Sequence, residues 1–360
     1  MCDVCKHATV LKKLVIKVRK LAGRVKRFSE LLRRYLAPLV LLTIVLGLAY
    51  GACCHDTASL FKPIVSVPLF FMLYPMMINI HIENIEREAL SKGVILGVIF
   101  LNFILSPILA AIFANLFLAN LNPYLVVGFV LKLTVPCSGM VIAWTGFAQG
   151  RTETALVIVS LSFLLGILLI PVWMYLLVGV LVPIDIWLMA QKIMIIIVLP
   201  LVAGLVTRRI IIRRWGMQKF KSIRPTFPAI SSLGMFAIIF MMMALESQVI
   251  LEHLEFILYI AIGILIIYPS LALIGILYSK LVGLDFEDGI AMTYGVTAKN
   301  HGITMAIAVT TFEGIAVLPA AFAPIIQIPL MLIILRLAPK LKTWINKTTI
   351  TNETTGEASG

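Results

Sequence analysis

The sequence predicts an all-α polytopic membrane protein, with ten transmembrane helices in two inverted five-helix repeats and breaks in the fourth and ninth. Three observations lead there: composition, the length of the apolar runs and the placement of the basic residues. Of the 360 residues, 61% are hydrophobic and 13% charged, and the mean hydropathy is +1.05, whereas soluble domains are about half apolar and a quarter charged. Runs such as Gly93 to Leu118 and Phe256 to Tyr278 are long enough, at about 1.5 Å per residue, to cross a hydrocarbon core of about 30 Å. A net charge of +13 does not imply a nucleic-acid partner, because Lys and Arg flanking apolar spans are what orients a membrane protein. Soluble enzymes are excluded on the same grounds, and the partner implied is the lipid bilayer.

Candidate spans lie at 36–51, 63–80, 93–118, 124–147, 154–179, 187–206, 228–246, 256–280, 288–311 and 315–336. With the N-terminus in the cytoplasm, the inner segments hold eleven basic residues in the tail, then Arg87 and Lys92, Arg151, seven from Arg208 to Arg224, Lys280, and four from Arg336 to Lys347. The outer loops hold only Lys62, and Lys132, Lys192 and Lys299 fall within spans. That asymmetry puts both termini inside and the protein in the plasma membrane as a multi-pass chain. Residues 1–35 then form a basic cytoplasmic tail, with an amphipathic stretch from Lys12 to Arg34 suited to an anionic leaflet. Its Cys2-x-x-Cys5 lacks the second ligand pair of a metal site, so no metal and no cofactor are expected. Residues 36–340 form the ten-helix domain and 341–360 a disordered cytoplasmic tail. No cleavable leader pattern follows the first span.

Ten spans divide into repeat 1, about 36–179, and repeat 2, about 187–336. Five is odd, so the second repeat enters the membrane inverted, a design of secondary transporters. Pro107 and Pro269 interrupt the third and eighth spans, and Cys137 and Lys299 the fourth and ninth, both pairs 162 residues apart.

The fourth span is broken at Val135-Pro136-Cys137-Ser138-Gly139 and the ninth between Gly295 and Gly302. By rise per residue both breaks fall near mid-membrane, where non-helical backbone is tolerated only if it lines a cavity or is buried in protein. Discontinuous helices facing each other are where transporters hold substrate and ions. The candidate substrate residues are Pro136, Cys137, Ser138, Asn300, His301 and Thr304, and the candidate coupling residue is Lys299. An intramembrane lysine costs roughly 2.5–3.5 kcal/mol on insertion scales, so its presence demands a role: a counter-charge for an anion, a carrier of a proton, or a structural bridge to backbone carbonyls. Cys137 reads either as a small buried hydrophobe or, facing a lysine, as a thiolate that suits soft metals and metalloids. Lys132 reads either as a second cavity charge or as a residue that reaches toward the interface, the latter somewhat favoured, and Lys192 as an interfacial residue.

The run Pro136 to Trp144, with its Cys-x-x-Met-Val-x-x-Trp and the following Ala148-Gln149-Gly150, resembles the fourth-span signature of arsenite efflux permeases in the bile acid/sodium symporter superfamily. Leu73 to Met77 resembles their second span, and Asn300 with Ala306 to Val309 their ninth. The resemblance covers about residues 36–340. It implies a panel of spans one, two, six and seven, a core in which helices 4 and 9 cross, and a metalloid bound near Cys137. The departures are informative. The permeases carry a glutamate where this chain has Thr304, and no acid lies between Asp288 and Glu313. The sodium-coupled branch binds sodium with a Glu and a Gln, whose counterparts here are Gly295 and Lys299, and its polar Ser-Asn pair is replaced by Val141 and Ile142.

A hard cation wants several oxygen ligands and is repelled by an ammonium, so sodium coupling is not expected. Lys299 can cycle a proton instead. The expected function is proton-coupled efflux of arsenite or antimonite by alternating access. The alternatives are a carrier of a small organic anion with Lys299 as counter-charge, and a non-transporting channel or receptor. Enzyme chemistry is not expected, because no paired acids or activated nucleophile sit at one depth.

Overall fold

A helix with no polar face can satisfy its own backbone in hydrocarbon, and the computed structural model, which describes residues 35–78, 91–312 and 314–356, is built from such helices. The basic tail with Cys2, Cys5 and Lys12 to Arg34 lies outside the described residues. Helices α1 (Leu36–Cys53), α2 (Ser66–Ile78) and α3 (Lys92–Phe117) come first. The broken pair α4 (Pro123–Thr134) and α5 (Met140–Phe147) follows. Then come α6 (Thr152–Val178), α7 (Ile186–Ile223), α8 (Phe227–Leu245) and α9 (Leu254–Leu281). A second broken pair, α10 (Phe286–Thr297) and α11 (His301–Thr311), precedes α12 (Leu318–Gly356). No strand occurs among the described residues.

Five segments, Lys92–Phe117, Thr152–Val178, Ile186–Ile223, Leu254–Leu281 and Gly314–Ile345, are each long and apolar enough to cross a bilayer. Large apolar side chains such as Leu164, Leu168, Val172 and Leu176 of α6 are exposed on the outside of the bundle, as lipid contact requires. The chain is a multi-pass membrane protein.

Starts are fixed by short polar side chains that accept a free backbone N–H of the first turn. Ser91 accepts from Val94 at the start of α3, Asn122 from Tyr124 before Pro123, Asp185 from Leu188 in α7, and Asp285 from Asp288 in α10. The helices pack as two groups. α8 lies against α1 and α2, and α7 against α2; α4, α5 and α10 surround α6, and α9 packs between α10 and α12.

Close approach depends on missing side chains. A Cβ on Gly234 of α8 would stand 2.6 Å from the Met72 backbone nitrogen of α2, and one on Gly128 of α4 would press on the Ala316 carbonyl, 2.8 Å from its carbon. Backbone cannot swing aside, so Gly128→Val is expected to cost roughly 1–3 kcal/mol or more by overpacking. The check is the thermal unfolding midpoint of detergent-purified protein, which should fall, whereas Gly216→Ala, with nothing within 4 Å of the added carbon, carries only local backbone strain.

Two segments differ from expectation. The basic stretch Arg208 to Arg224, expected as a loop, continues α7 and bends at Gly216, where φ is 80°. Arg208 is buried and its guanidinium stacks 5.7 Å from the Phe220 ring, inside a small cluster with Ile78 and Ile211. The apolar residues between the charges fold this stretch back onto the end of α2. The boundary expected at residue 340 falls inside α12, which runs to Gly356. Lys342 pairs with Glu287 at 3.0 Å, the Lys280 ammonium sits 3.4 Å above the Trp344 ring, and Ile345 is buried, so at least 341–345 is anchored helix rather than a disordered tail.

Candidate functional site

The breaks between α4 and α5 and between α10 and α11 meet at the centre of the bundle. Pro136 cannot donate a backbone hydrogen bond, and the chain leaves the helical conformation at Val135, where ψ is 153°, and at Ala298 and Asn300. The freed backbone groups are satisfied across the junction. Ser138 N donates to the Ala298 carbonyl at 2.7 Å, and Asn300 N donates to the Pro136 carbonyl at 3.1 Å. Cys137 and Lys299 are thereby paired in an isolated antiparallel bridge. Each half-helix that leaves the junction starts with a polar cap: the Ser138 hydroxyl accepts from Met140 N at 3.3 Å, and Asn300 Oδ1 from Ile303 N at 3.1 Å. The N-termini of α5 and α11, with their partial positive charge, therefore both point at the junction.

Pro136, Cys137, Ser138, Lys299 and Asn300 are thus brought together as the sequence suggested. His301 opens α11, and its Nδ1 is buried without a hydrogen-bond partner among the described residues. Thr304 lies one turn further, its hydroxyl donating to the Asn300 carbonyl at 2.8 Å, which leaves it occupied within its own helix. Cys137 and Lys299 are fully buried. Their pairing is through the backbone, and the ammonium of Lys299 goes elsewhere, to Asn102 Oδ1 at 2.9 Å. The Ser162 hydroxyl of α6 neighbours the thiol.

Four residues around the junction escaped the sequence reading. Asn102 sits in a π-helical turn of α3, Val98–Leu105, and such turns cluster at functional sites. Gln327 of α12 sends its amide toward the Lys299 carbonyl at 3.5 Å. Asn102 and Gln327 are single amides inside apolar runs, a signal present in the sequence. Met76 of α2 takes a contact from the Asn300 amide at 3.7 Å, and Met72 one turn earlier lies 3.4 Å from where a Gly302 Cβ would stand. The α2 thioethers therefore cover the junction from the other helix group.

Of the two readings of Lys132, burial removes the interfacial one. The residue is 1% exposed, and its ammonium has no hydrogen-bond partner among the described residues. It stands on the last turn of α4, enclosed by its neighbours. Lys192, by contrast, is half-buried and donates to the Thr310 carbonyl at 2.6 Å.

Outside the membrane-spanning part, the α5–α6 loop is clamped to α10. Arg151 pairs with Asp285 at 2.7 Å and with Asp288, while the Thr154 hydroxyl donates to Asp288 at 2.5 Å. The hydrogen bond to Asp285, with the neighbouring charge of Asp288, holds the guanidinium above its ordinary value. This clamp ties together the end of α5 and the start of α10, the ends of the two broken helices that lie away from the junction.

A profile of the Sodium Bile acid symporter family matches residues 66–253, a little over half of the chain. The chain belongs to that family. As a Sodium Bile acid symporter family member it is a membrane transporter, and the match begins with α2 and includes the first broken helix. An arsenical-resistance protein Acr3 from Corynebacterium glutamicum is 22% identical over 338 residues, 86% of this chain and 90% of its own length. Acr3 from Alkaliphilus metalliredigens is 25% identical over 338 residues, 86% and 93% of the two chains. An uncharacterized transporter of Synechocystis sp. is 26% identical over 349 residues, 88% and 90%.

Proposed function

We propose that this family member is a secondary active transporter that expels arsenite or antimonite across the plasma membrane, driven by protons and independent of sodium. The observation that carries the reading is the pairing of a fully buried cysteine with a fully buried lysine at the junction of two broken helices. A thiol is the soft ligand that a trivalent metalloid prefers, and the relatives named for arsenical resistance align over most of the chain. Cys137 ligates the metalloid, Ser138, Asn300 and the α11 N-terminus with His301 and Thr304 shape the pocket, and Pro136 keeps the break open. Lys299 carries the coupling proton. Charged, it holds the thiolate or an anionic form of the cargo; neutral, it releases it.

The same reading includes ten spans in two inverted repeats with both termini inside. Its support is that the two residues related by the 162-residue offset, Cys137 and Lys299, are the ones that pair. The panel is α1, α2, α7 and α8 and the core is the remainder; the support is that α8 packs on α1 and α2, and α7 on α2. Transport is by alternating access, the core rocking against the panel along the Met76 seam.

Everted vesicles containing the wild type, with an imposed proton gradient and no sodium, are expected to accumulate arsenite saturably, and to stop when the gradient is collapsed. Inserted, folded protein that accumulates none would overturn the metalloid reading and favour a small organic anion held by Lys299.

A further inference from the structure

The lipid-facing row of α7 runs into a cluster of arginines. Leu199, Val202, Val206 and Ile210 recur at spacings of three and four residues, which puts them on one side of the helix, and each is 51–64% exposed. Such an aliphatic row is a surface for acyl chains. Arg213 continues the row, and Arg209 and Arg214 flank it; all three are exposed. They stand within about 6 Å of Ile210 along the axis, at about 1.5 Å per residue, which is the depth of a headgroup layer beside the hydrocarbon. The helix then bends at Gly216, where φ is 80° and an added Cβ would meet nothing within 4 Å. Lys219 and Lys221 are exposed on the returning arm, whose Phe220 packs with Ile78 and Ile211. Trp215 and Met217 are exposed beside the bend, and tryptophan is enriched where headgroups meet hydrocarbon. No Asp or Glu occurs between Asp185 and Glu246, and none of these five cations makes an ion pair among the described residues.

We propose that the bend of α7 is a seat for an anionic phospholipid. Arg213 and Arg214 hold its phosphate, Arg209 and the two lysines of the returning arm surround the headgroup, and the acyl chains lie along Leu199 to Ile210. Arginine suits the phosphate because its planar fork pairs two oxygens at once. Net negative charge is selected because five cations gather without a carboxylate, whereas a zwitterionic headgroup brings an ammonium of its own. A lipid is selected over a soluble phosphate because the aliphatic row leads directly to the arginines. Ile78 is the last residue of α2, so a lipid seated here also braces the helix whose thioethers cover the junction. The seat uses no residue of the junction itself and stands whatever the carrier moves.

Native mass spectrometry of the detergent-purified full chain, with dioleoyl phosphatidylglycerol and dioleoyl phosphatidylcholine added in equal amounts, reads the seat directly. The wild type is expected to retain phosphatidylglycerol in preference to phosphatidylcholine as its first bound lipid, and soluble glycerol 3-phosphate should not displace it. Arg213→Gln/Arg214→Gln should lower that preference at least about tenfold. Arg336→Gln/Lys340→Gln, which removes the same charge from exposed positions of α12, should leave it unchanged. Phosphatidylglycerol should also raise the thermal unfolding midpoint of the wild type and not that of Arg213→Gln/Arg214→Gln. Equal retention of the two lipids by the wild type, an undiminished preference in the folded arginine variant, an equal loss in the α12 variant, or displacement by glycerol 3-phosphate overturns the proposal. If the double arginine variant does not fold, Arg213→Gln and Arg214→Gln singly decide it: a reduced preference in either upholds the seat, and an unchanged one in both overturns it.

Discussion

Lys299→Gln is expected to abolish the response of arsenite flux to an imposed proton gradient in folded, inserted protein. The substitution removes the ammonium while leaving a polar group able to donate to Asn102 Oδ1, which Lys299 now reaches at 2.9 Å. The Cys137–Lys299 bridge is a backbone pairing and does not require the lysine side chain. Structure therefore survives the change, and the titrating charge does not. Gradient-driven accumulation in everted vesicles should fall at least about tenfold, the equivalent of ~1.4 kcal/mol, and residual exchange of labelled for unlabelled arsenite should lose its pH dependence. Undiminished accumulation would remove Lys299 from the coupling role. A loss of coupling with intact exchange would separate binding from coupling, an outcome that a merely misfolded variant cannot produce.

Cys137→Ser is expected to eliminate arsenite accumulation with the proton gradient present. Oxygen replaces sulfur in nearly the same volume, so packing between the half-helices and beside Ser162 is disturbed little. The ligand, however, changes from soft to hard, and a trivalent metalloid loses its favoured donor. Arsenite protection of Cys137 against a thiol reagent provides an independent readout once the other four cysteines, Cys2, Cys5, Cys53 and Cys54, have been replaced. Wild-type-like accumulation by Cys137→Ser would make the cysteine simple core packing, and the carrier would then recognise its cargo by charge.

Much of this arrangement is legible in the sequence. Apolar runs locate the helices, because in hydrocarbon the backbone leaves little alternative. The two breaks are visible as Pro136 to Gly139 and as the polar run Thr297 to His301 inside apolar stretches. Where side-chain direction decides, the sequence is silent. Lys132 lies three residues before a break, and from sequence alone a stem of four methylenes reaching water is as consistent as an enclosed ammonium. Asn102 matters because a π-helical turn aims it at Lys299, a choice made by packing around α3. Arg208 to Arg224 looks like a loop because charge dominates its composition, yet Ile211 and Phe220 are enough to fold it onto α2. The anchoring of 341–345 depends on Glu287 and Lys280, both more than fifty residues earlier in the chain.

The pair of backbone hydrogen bonds between the breaks, Ser138 to Ala298 and Asn300 to Pro136, has a mechanical meaning. It is a cross-brace between two chain segments that come from opposite halves of the sequence. Pulling the half-helices apart would strand four peptide groups where water is scarce, each worth several kcal/mol if left unsatisfied. Access to Cys137 from either side is therefore more cheaply gained by sliding α2 off the brace than by opening the brace. The contacts that yield, Met72 and Met76 through flexible thioethers, are of a kind that can be remade one turn away.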